Sequence, residues 1–460
     1  MDSPERSRRY VLHLLGVGIA GSVAGCESES PAPGGPSNTK QTVVPSTDRP
    51  ATETTAAAGD LPPGKLVPTD GDENDNFGNA VACSGDSALV GAIRDEAAAG
   101  SWSGATYVCA REGGQWSVGT KLTLSDGDEY DRFGNDVAIA GDYGLVGAFH
   151  DSDHGGKRAG AAYVFERTSD GEWTQQATLV PDDHQRRANF GSAVALDDAR
   201  AVVGAAAASS ENGEEAGAAY VFERADDAWT QRATLAPADG DEGDLFGTEV
   251  AQSGSVVAVG APFDDDPNGR LGGSVYVFEV SDDDTWSEQA TLVPDDGDTQ
   301  DKFGRSLDLD GRRVVVGAPF DEDPNGEDAG SAYVFDGADG TWGLDAKLTY
   351  PDGIEGDQFG QAVAVAGDTV LVGGGAGPDF DAEHEGREMP GDGAGYVARF
   401  ERHTDGWELE STLTAPDGDA DDLFGVAVTL EGATALVGAT GDEDPNGDGA
   451  GAAYVHKLDG

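Results

Sequence analysis

The stretch Asp239-Gly240-Asp241-Glu242-Gly243-Asp244-Leu245-Phe246-Gly247, followed by Gly260-Ala261-Pro262, decides the fold because it is one of a set. Its Phe-Gly pair recurs at 77/78, 133/134, 190/191, 246/247, 303/304, 359/360 and 424/425, with spacings of 56 to 65 residues. A period of that length marks one supersecondary unit used seven times. After each pair comes a β-rich segment ending in a Gly-Ala-like step, such as Gly317-Ala318-Pro319. Then come an apolar run typified by Ala332-Tyr333-Val334-Phe335 and another typified by Ala290-Thr291-Leu292-Val293, usually behind a tryptophan such as Trp286. Short β-rich runs between Gly/Asp turns, with no helical period, predict four strands per unit.

Four-stranded sheets repeated radially make a propeller, and closing the ring protects the strand edges. The last repeat stops after its third strand, at Tyr454-Val455, whereas Lys65-Leu66-Val67-Pro68 ahead of the first Phe-Gly reads like the fourth strands elsewhere. The N-terminal strand is therefore expected to complete the seventh blade. The fold class is all-β: a seven-bladed β-propeller of four-stranded antiparallel blades over residues 64–460. The phenylalanines are expected to pack between sheets and the glycines to allow close backbone approach.

Phe246-Gly247 with Gly260-Ala261-Pro262, and Phe303-Gly304 with Gly317-Ala318-Pro319, resemble the FG-GAP repeats of integrin α-subunit propellers and their prokaryotic relatives. The resemblance implies a seven-bladed ring and, by analogy, extracellular recognition or adhesion. In that family the calcium loop joins the first and second strands. Here short turns such as Gly141-Asp142-Tyr143-Gly144 and Asp310-Gly311-Arg312 hold that place, so the family's calcium ligands do not carry over.

The aspartates cluster in two other loops. Before Phe-Gly, an Asp-Gly-Asp-x-x-Asp pattern supplies Asp70, Asp72 and Asp75; Asp126, Asp128 and Asp131; Asp239, Asp241 and Asp244; Asp296, Asp298 and Asp301; and Asp417, Asp419 and Asp422. After the Gly-Ala step, an Asp-x-Asp-x-Asn-Gly pattern supplies Asp264, Asp266 and Asn268; Asp321, Asp323 and Asn325; and Asp442, Asp444 and Asn446. Loops of a meander alternate ends, so both patterns should line one rim. Hard oxygen ligands around a glycine turn suit Ca²⁺ or Mg²⁺, and blades 4, 5 and 7 carry both patterns. The other reading is that Asp and Asn make Asx turns. Blade 3 departs, with His184, Gln185, Arg186 and Arg187 replacing acids. His184, Arg186 and Arg187 are candidate contacts for an acidic partner or a sulfated or uronic sugar, and a tolerated loop variant is the other reading. Blade 6 has a longer loop from Gly377 to Gly393.

The chain carries 87 acidic and 28 basic side chains, a formal charge of −59. Self-repulsion on that scale opposes compaction unless salt screens it, and molar salt shortens the Debye length to about 3 Å. The scarcity of lysine, seven residues in all, resembles the bias of haloarchaeal proteins. Nucleic acid is excluded as a partner because phosphate binding needs a basic face. Residues 1–26 carry Arg8-Arg9, an apolar run too short to span a bilayer, and Val23-Ala24-Gly25-Cys26. The paired arginines resemble a twin-arginine signal and the second motif a lipobox, implying export and anchorage to the cytoplasmic membrane through lipidated Cys26; a plain cleaved signal is the alternative. Residues 27–63, rich in Ser, Thr, Pro, Ala and Gly, read as a tether.

Cys83 and Cys109 fall on non-neighbouring strands of blade 1, which favours two free buried thiols. His150 and His154 share one loop and are expected to be solvent-exposed. No nucleophile elbow, phosphate loop or Cys/His cluster occurs, and no organic cofactor is expected. The reading is a monomeric, non-catalytic cell-surface binding or adhesion propeller whose partner is a surface protein or polysaccharide. The alternatives are a hydrolase or lyase of extracellular polymer and a structural envelope component.

Overall fold

The computed structural model describes residues 61–458 apart from 98, 198, 211, 227, 323, 339, 376–392 and 444. Residues 1–60 with Cys26, the candidates Asp323 and Asp444, and nearly all of the long blade 6 loop lie outside that set. The described residues form seven four-stranded antiparallel sheets and no helix. Blade 1 comprises Phe77–Ser84, Ser87–Ala92, Ala105–Glu112 and Gln115–Leu122, in that order from first to fourth strand. Five further blades repeat the plan. The seventh is completed from the other end of the chain: Phe424–Glu431, Thr434–Ala439 and Ala452–Lys457 are joined by Lys65–Leu66, in the register Lys65 opposite Tyr454 and Leu66 opposite Ala453.

The repeated sequence signature is the contact between blades. The first strands of neighbouring blades lie against one another around the ring axis. A methyl group on Gly317, in the Gly-Ala step of blade 5, would overlap the carbonyl oxygen of Gly360, the Phe-Gly glycine of blade 6; Gly438 meets Gly78 in the same way and closes the ring. The Phe-Gly glycines also sit at positive φ, 96° at Gly360 and 93° at Gly78, where a side chain is disfavoured.

Each phenylalanine wedges between two sheets. Phe303 is fully buried, packs edge-on against Tyr333 and Phe335 of its own blade, and shares a cluster with Val275 and Val277 of the blade before. Alternate residues of the inner strands thereby pack against the neighbouring sheet, which the apolar Ala-Tyr-Val-Phe runs require. In blade 1, Cys109 occupies the place of Phe165 and Phe222. It is fully buried and, like the less buried Cys83, is a free thiol.

Candidate functional site: the loop rim and channel mouth

Both acidic patterns meet at one end of the ring, as their loop positions require. The loop preceding each phenylalanine is bonded to the loop between the second and third strands of the preceding blade. Phe77 N donates to Ala450 O at 2.9 Å, Phe246 N to Ala216 O at 3.0 Å and Phe303 N to Gly272 O at 2.9 Å, and the other four repeat the bond. The motif asparagines lock the same joint. Asn268 Nδ2 donates to Pro294 O at 3.2 Å, Asn325 Nδ2 to Tyr350 O at 2.9 Å and Asn446 Nδ2 to Pro68 O at 2.9 Å. Each amide lies over the glycine of the next pre-Phe Asp-Gly step, Gly297, Gly353 and Gly71, where a Cβ would collide with it.

The aspartates divide by role. Outside blade 3, the acid two residues before the phenylalanine accepts the backbone N–H three residues earlier: Asp241 N to Asp244, Asp298 N to Asp301 and Asp419 N to Asp422, at 2.6 to 2.8 Å. Asp244, Asp301 and Asp422 are buried, while Asp241, Asp298 and Asp419 face solvent. Burial, with Coulombic repulsion from Asp321 or Asp442 added, raises Asp301 and Asp422 to about 7. Asp244, beside Asp264, rises to about 6. The first acid of the strand-two loop is also buried and accepts a tyrosine hydroxyl. Tyr276 donates to Asp264 at 2.7 Å, Tyr333 to Asp321 at 2.6 Å and Tyr454 to Asp442 at 2.5 Å. Asp266 N closes an Asx turn on Asp264 Oδ1 at 2.8 Å, so the Asx-turn reading describes this loop.

What differs among blades is the counter-ion. In blade 7, Lys65 Nζ lies 2.8 Å from Asp417 and 2.9 Å from Asp442. In blade 5, Lys347 Nζ lies 2.8 Å from Asp296 and 2.9 Å from Asp321. Lys121 serves Asp70 and Asp95 in blade 1 at 3.1 and 2.7 Å. Blades 2 and 4 hold Thr178 and Thr291 at the lysine's register, so Asp126, Asp131 and Asp151, and Asp239, Asp244 and Asp264, have no lysine among them. Blade 3 loses both buried acids together: Ala188 and Ala208 replace them, enclosed in the core. Its loop is instead held by Gln185, which exchanges two hydrogen bonds with the backbone of Ser209 at 2.8 and 2.9 Å. His184, Arg186 and Arg187 are exposed on that loop.

The lysines, and Asp95 and Asp151 as the equivalents of Asp264, escape a search for Asp-x-Asp-x-Asn-Gly; aligning the repeats on Phe-Gly exposes them. Among the described residues, the group of three potential ligands whose donor atoms all lie within 4.8 Å of one another is His403, Glu408 and Glu410, an exposed set on the outer strands of blade 6. His150 departs from the expected exposure. It is half-buried against Phe149, and burial with the nearby Arg158 and Arg132 lowers its pKa to about 3.

The ring axis carries a second feature. Glu249, opening the first strand of blade 4, and Arg305, immediately ahead of the first strand of blade 5, are deeply enclosed by neighbouring groups, although both keep some contact with solvent. Burial and Asp136 hold Glu249 well above the usual carboxylate range, while Arg305 acts in the opposite direction. Asp136 and Asp308 are structural here. Asp136 accepts Val137 N and Val194 N, and Asp308 accepts Leu309 N and Val365 N, each stapling one first strand to the next.

A family model described as FG-GAP repeat matches residues 63–109, 116–165, 173–222, 229–278, 286–335, 342–397 and 407–456, one match per blade. No curated protein matches. Among solved structures, a crystal structure of a protein from Lactobacillus plantarum is 14% identical, with 74% of this chain and 86% of that chain covered at a TM-score of 0.43.

Proposed function

The chain belongs to the FG-GAP repeat family, and on that premise we propose that it is a non-catalytic binding module, exported, lipid-anchored through Cys26 and displayed on the surface of an organism living in high salt. The observation that carries the reading is the interlocked rim. All seven pre-Phe loops are bonded to the loops of the preceding blade, which makes one end of the ring a rigid, continuous platform, and preorganised surfaces bind at low entropic cost. On that platform blade 3 replaces acids by His184, Arg186 and Arg187 without loosening the joint, since Gln185 takes over the bonding. The partner in this reading is a surface polysaccharide or protein, with the ring acting as a monomer.

Calcium or magnesium fits blade 4 best, where Asp239, Asp244 and Asp264 have Thr291 rather than a lysine beside them. In blades 5 and 7 a divalent ion would have to displace the bonded ammonium of Lys347 or Lys65. Sedimentation of the full chain with isolated envelope fragments in molar salt, with and without chelator, tests the proposal. Saturable co-sedimentation without chemical change is expected. Release of shortened polymer would establish instead the hydrolase or lyase reading, for which Glu249 and Arg305 in the channel would be the groups to mutate.

A further inference from the structure

Basic residues at the opposite end of the blades are paired: Arg111 with Asp86, Arg167 with Asp142, Arg313 with Asp336 and Asp368, Arg402 with Asp336 and Asp345. The channel mouth is built differently. At this loop end the seven residues immediately before the phenylalanines are the first ring of equivalent positions; they include Arg132 and Lys302 but no acid, and Asn76, Asn189 and Leu245 among them are buried. The seven immediately after the Phe-Gly glycines form the second, and they include Arg305 but no acid. Only in the third ring, with Asp136 and Glu249, do carboxyl groups begin. In a chain where acids outnumber bases by 87 to 28, two successive rings with cations and no anion are a local reversal of sign.

These cations have no acid bonded to them among the described residues. Arg132 lies 5.2 Å from the Trp102 ring and 5.8 Å from Phe149, beside Arg94 and Arg158, and its Nε is enclosed without a hydrogen-bond partner. Lys302 lies 3.8 Å from the Phe320 ring and 5.9 Å from Phe263, with Arg305 as a like-charged neighbour and Asp328 as a nearby but unbonded acid. Both Arg132 and Lys302 adopt left-handed backbone, φ 59° and 53°, which disfavours such side chains; the asparagines at the same place in blades 1 and 3 suit it better.

Arg305 is also released from a duty that its counterparts perform. Asn79, Asn135 and Ser192 donate across to the first strand of the next blade, at 2.9, 3.0 and 3.2 Å, whereas in blade 5 Ser306 Oγ makes that bond to Gly360 O at 2.7 Å. Outward from the mouth the basic track continues. Asn189 N bonds Arg158 O, and Arg187 N bonds Lys157 O, which brings Arg186 and Arg187 of blade 3 alongside.

We propose that the channel mouth is a binding site for the carboxylate of a small acidic ligand or of a terminal uronic sugar, with Arg305 as the anchoring group and Lys302 beside it. A guanidinium forks onto a planar carboxylate with two parallel hydrogen bonds. The backbone-bonded carboxyl group of Asp136 in the next ring penalises a more highly charged phosphate. The site deepens the surface-binding reading and rests on it for its biological role, but its chemistry can be tested alone.

The test is isothermal titration of the full chain in molar salt with acetate, glucuronate, glucose and inorganic phosphate, repeated on Arg305→Gln, Lys302→Met and the opposite-end control Arg313→Gln, each checked for fold by circular dichroism. Glucuronate is expected to bind, glucose not at all, and phosphate more weakly. Arg305→Gln should weaken glucuronate at least tenfold, Lys302→Met several-fold, and Arg313→Gln not at all. Binding of acetate as tightly as glucuronate assigns the site to free small carboxylates rather than to a sugar. Absence of both, or equal affinity in folded Arg305→Gln, overturns the proposal while leaving envelope co-sedimentation untouched. Glucuronate binding without co-sedimentation would instead retain the site and refute the surface-binding role.

Discussion

Lys65 and Asp442, 377 residues apart, meet at 2.9 Å inside the seventh blade. The Lys65 side chain is 1% exposed and its ammonium also contacts Asp417 at 2.8 Å. Burial alone would lower the pKa of this lysine, but the two carboxylates outweigh that and hold it above its ordinary value. The chain ends are thus joined by a buried charge as well as by two residues of strand pairing. Removing one partner of a buried ion pair typically costs about 3–5 kcal/mol. Lys65→Met should therefore lower the thermal midpoint substantially more than Lys457→Met on the exposed end of the adjoining strand. Equal midpoints would show that the closure does not depend on this contact.

Gly317→Ala should destabilise by about 1–3 kcal/mol or more, because the new methyl meets backbone of the next blade rather than a side chain that can move. Gly343→Ala, on a fourth strand with open space around its Cα, is the matched control and should be neutral or slightly stabilising. Chemical denaturation of the pair measures the difference.

The buried third acids give the ring an unusual pH response. Asp75, Asp131, Asp301 and Asp422 titrate near 7 in the folded chain, through burial first and neighbouring acids second, against about 4 when unfolded. A carboxyl whose folded pKa is raised favours folding below its unfolded pKa, and that contribution is lost as pH rises through the folded value. These sites therefore destabilise the ring between pH about 4 and 7 as the pH climbs. Asp422→Asn keeps an oxygen for Asp419 N and removes the ionisation. It should be more stable than the parent at pH 8, on the order of 1 kcal/mol, with the advantage shrinking toward pH 5. An advantage independent of pH would contradict the assignment.

Transfer from molar to about 0.1 M salt lengthens the Debye length from about 3 to about 10 Å. With a formal charge of −59, the ring should lose β-sheet signal on such dilution, first where acids lack a lysine. Circular dichroism during dialysis checks this, and an unchanged spectrum would remove the argument for a saline habitat.

Much of the architecture was legible because the fold is a repeat. Phe303 and Gly317 recur in register, and each makes a contact with a neighbouring blade that only its residue type permits. Lys65-Leu66 could be placed in the seventh blade because it resembles Lys121-Leu122 and Lys347-Leu348. The division of labour among the aspartates was not legible. Asp241 and Asp244 look alike in sequence, and only the packing of the loop onto the preceding blade buries the second. Arg305 and Glu249 carry no motif signal because Arg305 is a single departure in an otherwise neutral column of the repeat and Glu249 shares its column only with Asp136, and their significance depends on seven first strands converging on one axis. Their neighbours in that ring come from blades far apart in sequence.

The central claim is that the interlocked loop end of the ring is the recognition face. Hydrogen–deuterium exchange of the full chain, free and saturated with envelope fragments in molar salt, tests it most directly. Added protection is predicted in the loop from Asp182 to Asn189 and around Lys157–Arg158 and Arg132, with none in the turns at Asp142 and Gly311 on the opposite end. Protection confined to those opposite turns, or no protection at saturating envelope material, would contradict it.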